Sequence, residues 1–231
     1  MTYKNRHLVV TGGTGALGTA VVGALLEAGA NCHVPLHRES ERDAFVHRAH
    51  ARVTFGGPLQ LEDATAVARY YATLPPLWGA IHVAGGFAAG PLAEADDATL
   101  RRQIDMNLMT CLFCCRGAVR AMGTGGGRIV NIAARPALEW RAGAGMAAYA
   151  ASKAAVAALT AALAEEVAKQ GILVNAVAPS IMDTPANRKA MPKADFAAWP
   201  KVEEVARTIL FLASPENAVT RGAVVPVYGR S

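Results

Sequence analysis

Tyr149 and Lys153 stand four residues apart in Tyr149-Ala150-Ala151-Ser152-Lys153. On a helix that spacing puts both side chains on one face, about 6 Å apart along the axis. A phenol alone is a poor acid–base group at neutral pH, because its pKa lies near ~10. A neighbouring ammonium favours the phenolate, so Lys153 is expected to draw Tyr149 toward useful acid–base range. A second constellation lies near the start of the chain. Thr11-Gly12-Gly13-Thr14-Gly15-Ala16-Leu17-Gly18 follows an apolar run and opens a helical pattern. A glycine loop at such a junction lets backbone approach a pyrophosphate, while helix N–H groups and the dipole favour its charge. Taken singly, the pair also suits a solvated helix face and the loop an ordinary tight turn. Their setting decides.

That setting is a regular alternation of period. Short apolar runs of β type occur at His7–Val10, Asn31–Leu36, Arg52–Phe55, Ala80–Ala84, Arg128–Ile132, Leu173–Ala178 and Ala223–Val227. Helical stretches lie between them, at Ala16–Ala28, Glu39–Ala49, Asp63–Thr73, Asp96–Met122, Met146–Gln170 and Val202–Leu212. Alternation of this kind predicts a single-domain, Rossmann-like doubly wound α/β fold over residues 1–231. Its seven-stranded sheet is mostly parallel, with right-handed crossovers and helices on both faces. Ligands of such sheets lie beyond the carboxyl ends of the strands, where strand order reverses. The second run ends in Leu36-His37-Arg38-Glu39. A carboxylate there binds the adenosine ribose 2′-hydroxyl of NAD, whereas Arg accommodates the 2′-phosphate of NADP. Arg38 with His37 favours NADP(H) over NAD(H), and Glu39 keeps a carboxylate one residue away.

Composition excludes other classes. The 231 residues are 52% hydrophobic and 18% charged, which suits a packed globular chain rather than a disordered one. The net charge of +5 is scattered, with no dense basic cluster for nucleic acid. The apolar run after the polar start meets the glycine loop too early for a secretory signal. The Ala-rich segment Ala144–Leu163 carries Ser152 and Lys153, so no membrane span is expected. Cys111, Cys114 and Cys115 are spaced as apolar core thiols, with Cys32 apart from them. Cys111-x-x-Cys114 formally matches a metal or redox pair, but with no second pair or neighbouring His in sequence no metal site is expected. Free thiols suit a reducing cytoplasm.

The ordered motifs resemble those of the short-chain dehydrogenase/reductase family. Thr-Gly-x-x-x-Ala-x-Gly replaces the usual Gly-x-Gly-x-x-Gly. The fourth strand leads into His82-Val83-Ala84-Gly85-Gly86, where the family's Asn-Ala-Gly keeps Ala84 and Gly85 but not the Asn. Asn107 in Asp105-Met106-Asn107-Leu108 matches the family's structural asparagine, and Tyr149-x-x-x-Lys153 its catalytic pair. Val174-Asn175-Ala176-Val177-Ala178-Pro179 matches the sixth strand, and Thr184-Pro185 the nicotinamide-facing Thr after it. The resemblance implies a hydride-transferring oxidoreductase. Its cofactor site would contain Gly12, Thr14, Gly15, Ala16, Leu17, Gly18, His37, Arg38, Ala84, Gly85, Gly86, Lys153, Pro179 and Thr184. Its catalytic centre would hold Tyr149, Lys153 and Asn107.

One departure bears on the substrate. The family's catalytic Ser falls on Ala133 or Ala134, and Gly125–Ala151 contains neither Ser nor Thr. Losing one donor to a developing oxyanion costs about 2.7–4 kcal/mol. Either the substrate is already activated or the protein is a non-catalytic dinucleotide-binding sensor or scaffold. Ala84–Gly90 and Asp183–Trp199 are similar to the dihydropteridine reductase branch, which also lacks the Ser. This implies a conjugated, quinonoid acceptor such as a dihydropterin, a substrate loop at about 180–200, and flat-ring stacking by Phe87, Trp140 or Trp199 beside Ala134 and Tyr149. Family habit and the Ala-rich helix imply a homodimer or homotetramer.

Overall fold

A computed structural model of the chain describes residues 1–231. The strands β1 (His7–Thr11), β2 (Asn31–Leu36), β3 (Val53–Pro58), β4 (Gly79–His82), β5 (Gly127–Ile132), β6 (Ile172–Pro179) and β7 (Val224–Val227) form one sheet in the order β3-β2-β1-β4-β5-β6-β7. Every pairing is parallel. Covered on both faces, β4 and β5 are buried along their whole length, including the polar His82, Arg128 and Asn131. Strand order reverses between β1 and β4, which opens a crevice at their carboxyl ends.

Helices α1 (Ala16–Glu27) and α8 (Val202–Ala213) cover one face, packing Val21, Leu25, Val205 and Ile209 against Leu8, Val10 and Ile81. Helices α3 (Ala64–Ala72), α5 (Thr110–Met122) and α6 (Ala147–Glu166) cover the other, around Val9, Ala80, Ile129 and Val174. By length and composition alone α6 is apolar enough to cross a membrane. Here it packs on β5 and β6 and buries Ser152, Lys153, Val156 and Thr160.

Three elements differ from expectation. The helix expected over Glu39–Ala49 is only α2 (Ser40–Ala44), because Phe45 turns extended and drives its ring into the core, edge-on to Phe55 at 5.9 Å. The helix expected over Asp96–Met122 is α4 (Asp97–Ile104) and α5 joined by a π-helical turn, Asp105–Met109. The wider turn holds Asn107 buried, a local irregularity of the type frequent at functional sites. Segment 180–200 is a structured excursion rather than a plain loop. It contains α7 (Pro185–Ala190) and a 3₁₀ turn at Phe196–Ala198, held by the Asp183–Arg188 ion pair at 2.6 Å and by buried Trp199.

Candidate active site

The nucleotide end is shaped by backbone in contact with backbone. Gly12 has φ +63°, and a Cβ there would lie 2.7 Å from Ala84 N. A Cβ on Gly13 would lie 2.9 Å from Val34 Cγ1, and one on Gly18 would strike Gly12 O. The glycines therefore seat the loop against β2, against the segment after β4 and against its own first turn. Gly15 caps α1 without a side-chain hydrogen bond, and no acid occupies the first turn. The first N–H groups of α1 are left for an external acceptor, so this cradle fits a dinucleotide pyrophosphate.

Past the end of β2, His37 and Arg38 are exposed. Glu39, the carboxylate one residue away, pairs with Arg42 at 3.1 Å. The carboxylate that reaches the glycine loop is Glu41. Its Oε2 accepts from Thr14 Oγ1 at 3.1 Å and from His37 N at 3.2 Å. Sequence reasoning missed Glu41, since nothing in its local spacing announces a contact made across two elements.

The other end of the crevice is built by side chains of the π turn and α6 on the backbone that follows β4 and ends β5. Lys153 is buried and its Nζ donates to Ile132 O at 2.9 Å. Burial lowers its pKa to about 8, partly opposed by the nearby Cys111. Asn107 accepts from Gly86 N and donates to Gly86 O, both at 3.0 Å, and its Nδ2 also reaches Ser152 Oγ at 3.2 Å. Ser152 in turn donates to Tyr149 O at 2.7 Å. Asn107 and Ser152 thus tie the Ala84–Gly86 segment to the backbone that carries Tyr149. A Cβ on Gly85 would fall 2.6 Å from Asn107 Oδ1 and 3.4 Å from Lys153 Nζ, so only glycine keeps this floor open.

Tyr149 departs from expectation. Burial pushes its hydroxyl up to about 12, and Lys153 does not offset that shift. In this state Tyr149 is a held proton rather than a phenolate.

Of the residues expected at the substrate, Phe87 is brought to Tyr149, ring edge to face at 4.9 Å. Ala133 and Ala134 are both buried where β5 ends, and supply methyl groups only. Trp140 stands exposed, its Nε1 donating to Ala137 O, and Trp199 is core, packed on Phe196. Pro179 closes β6. Thr184 is buried as the cap of α7, accepting from Asn187 N.

The expectation that no His approaches the cysteines is corrected. The ligand atoms of His82, Cys111 and Cys115 lie within 4.8 Å of one another. The relevant pair is Cys111 and Cys115, one helical turn apart with Sγ–Sγ at 4.0 Å, not Cys111 and Cys114. His82 Nδ1 is 2.9 Å from Asn131 Oδ1 and 3.5 Å from Cys115 Sγ, and Tyr71 OH is 3.3 Å from Nε2. Asn131 Nδ2 donates to Thr160 Oγ1. This is a closed, partnered polar network, as buried polar groups require.

A sequence model described as short chain dehydrogenase matches residues 6–195. The chain belongs to the short-chain dehydrogenase/reductase family. It is 32% identical to a 3beta-hydroxysteroid dehydrogenase of Mediterraneibacter gnavus, covering 96% of this chain and 93% of that one. It is 35% identical to a galactitol 2-dehydrogenase of Rhizobium johnstonii, covering 98% and 97%. Neither name concerns a pterin. Among solved structures, gox2181 matches with TM-score 0.89 at 27% identity over 99% of this chain and 96% of that one. ElxO with NADP bound matches with TM-score 0.88 at 24% identity over 97% and 98%, a likeness of fold alone. As a family member the chain is an oxidoreductase acting on a small molecule with a nicotinamide dinucleotide.

Proposed function

We propose that this short-chain oxidoreductase reduces a conjugated, already activated carbonyl or quinonoid acceptor, with NADP(H) favoured over NAD(H). The dinucleotide supplies hydride. Gly12, Thr14, Gly15, Ala16, Leu17, Gly18, Ala84, Gly85, Gly86, Pro179 and Thr184 would hold it, with His37 and Arg38 at the adenosine end. Tyr149 keeps its proton in this state and is the donor that would deliver it to the acceptor heteroatom. Lys153 stays cationic below about 8 and orients the nicotinamide ribose, while Asn107 keeps the Gly86 backbone in place.

The observation that carries this reading is the pair of buried methyls, Ala133 and Ala134, where a hydroxyl would steady a ketone oxyanion. An acceptor that spreads its charge over a ring needs that hydroxyl least. Exposed Phe87, edge-on to Tyr149, gives the site flat apolar surface to meet such a ring. Four free, buried thiols suit a reducing cytoplasm. The alanine face that α6 leaves uncovered, Ala151, Ala158, Ala161 and Ala162, suits a homodimer or homotetramer, which light scattering checks against 24.0 kDa.

Steady-state turnover with NADPH or NADH against quinonoid dihydropterin, quinones and simple ketones tests the reading. Quinonoid acceptors are expected to be turned over well and ketones poorly. Equal turnover of ordinary ketones defeats the activated-substrate reading. Coenzyme binding without turnover of any acceptor leaves a dinucleotide-binding protein that does no chemistry.

A further inference from the structure

The adenosine end contains an anion site that the chain fills with a side chain of its own. Thr14 belongs to the glycine loop and His37 follows the last residue of β2, so their donors approach one point from two elements. Glu41, half-buried near the start of α2, places one carboxylate oxygen between them, 3.1 Å from the Thr14 hydroxyl and 3.2 Å from the His37 N–H. The other charges nearby are disposed differently. Glu39 pairs with Arg42, whose guanidinium also lies over the Phe55 ring at 5.0 Å. Arg38 is exposed and makes no ion pair. A hydroxyl, an amide N–H and an unpaired guanidinium are the groups that bind a phosphate. Here two of the three are already taken by a carboxylate.

We propose that Glu41 is a specificity-determining residue that opposes Arg38: a resident anion that must leave Thr14 and His37 before a 2′-phosphate can use them. The inference rests on the dinucleotide reading of the glycine loop. The 2′-hydroxyl of an unphosphorylated adenosine can donate to the carboxylate where it stands. A 2′-phosphate brings like charge against it and is accepted only once Glu41 swings out. Selectivity for NADP(H) is therefore narrower than Arg38 alone would make it, and Glu41 is the residue that narrows it.

The test uses calorimetric binding of 5′-AMP, 2′,5′-ADP, NAD⁺ and NADP⁺ to the whole chain, free of turnover. Glu41→Gln keeps the shape and the acceptor oxygen but removes the charge. It is expected to tighten 2′,5′-ADP about tenfold and leave 5′-AMP within about threefold, the size that repulsion between near, solvated charges supports. Arg38→Ala is expected to move 2′,5′-ADP the opposite way. An unchanged ratio of the two ligands in Glu41→Gln overturns the proposal. So does a parallel loss of both in Glu41→Ala, which would make Glu41 a strut for the loop. Failure of the unaltered chain to bind any of the four ligands overturns the dinucleotide reading itself, a result distinct from an unchanged ratio with binding intact.

Discussion

The two ends of the crevice are built on opposite principles. At the nucleotide end, shape is set by what is absent: Gly12, Gly13 and Gly18 lack the Cβ that would meet Ala84, Val34 and Gly12. At the end that carries Tyr149, shape is set by what is present, as Asn107, Ser152 and Lys153 bridge the segment after β4, the end of β5 and α6 through side-chain hydrogen bonds. A backbone cradle tolerates almost no substitution. A side-chain framework can keep its struts and change one substrate-facing group. On the proposed reading Ala133 and Ala134 are that change, while Tyr149, Lys153 and Asn107 are kept.

The largest expected effect breaks the nucleotide end. Gly12→Ala puts a methyl 2.7 Å from Ala84 N at a φ of +63°, strained on both counts. Coenzyme affinity is expected to fall at least ~100-fold, with a stability loss of about 1–3 kcal/mol, read by calorimetry and thermal melting. Undiminished binding would refute the contact-built cradle. Tyr149→Phe is the counterpart at the other end. It removes the proton and leaves the struts, so turnover should drop about 100-fold while coenzyme affinity stays within about twofold. A variant that turns over normally would remove Tyr149 from the chemistry.

This contrast also explains how much the sequence disclosed. Glycine loops and the Tyr149/Lys153 spacing are local patterns, so the fold, the glycine turn and the helix that carries Tyr149 and Lys153 are readable from residue types in order. Contacts made across elements are not. Glu41 touches residues of two other elements, and His82 reaches Cys115 from a neighbouring strand, so neither has a local signature. Tyr149 exposes the same limit in energetic form. An ammonium stands four residues on, but burial decides the outcome. The short α2 failed for a related reason, since Phe45 gains more from the core than from continuing a helix.

A pH series sharpens the comparison further. Lys153 has a pKa near 8 in the folded chain against a usual 10.5, because burial disfavours its charge. As pH rises past about 8 the ammonium is lost, and turnover that depends on it should decline. Stability moves the other way. Between about 8 and 10.5 the folded chain binds fewer protons at this site than the unfolded one, so stability rises with pH in that window. Lys153→Met lacks the term. The difference in melting temperature, variant minus unaltered chain, should therefore be most positive at pH 7 and shrink toward pH 10. A difference that does not change with pH would show that the buried ammonium carries no such cost.

The smallest expected effect is the most specific, because it tries to reverse the one change at the catalytic end. Ala134→Ser, with Ala133→Ser as the control for register, places a hydroxyl at the end of β5, beside the carbonyl strand that Lys153 already holds. The gain must be differential. A ketone gathers a full alkoxide charge at one oxygen, whereas a conjugated acceptor spreads its charge over a ring, so one added donor helps the ketone more. Ala134 is extended and buried, and its Cβ is fixed by the surrounding strand ends, so a serine there has little freedom to search for reach. The expected gain for simple ketones is thus about tenfold, well short of the ~100-fold a matched donor supplies. Quinonoid acceptors should change by less than about twofold. Equal gains for both acceptor classes would mean that the hydroxyl acts on coenzyme or loop order rather than on developing charge. In that case the methyls of Ala133 and Ala134 would no longer explain the choice of substrate.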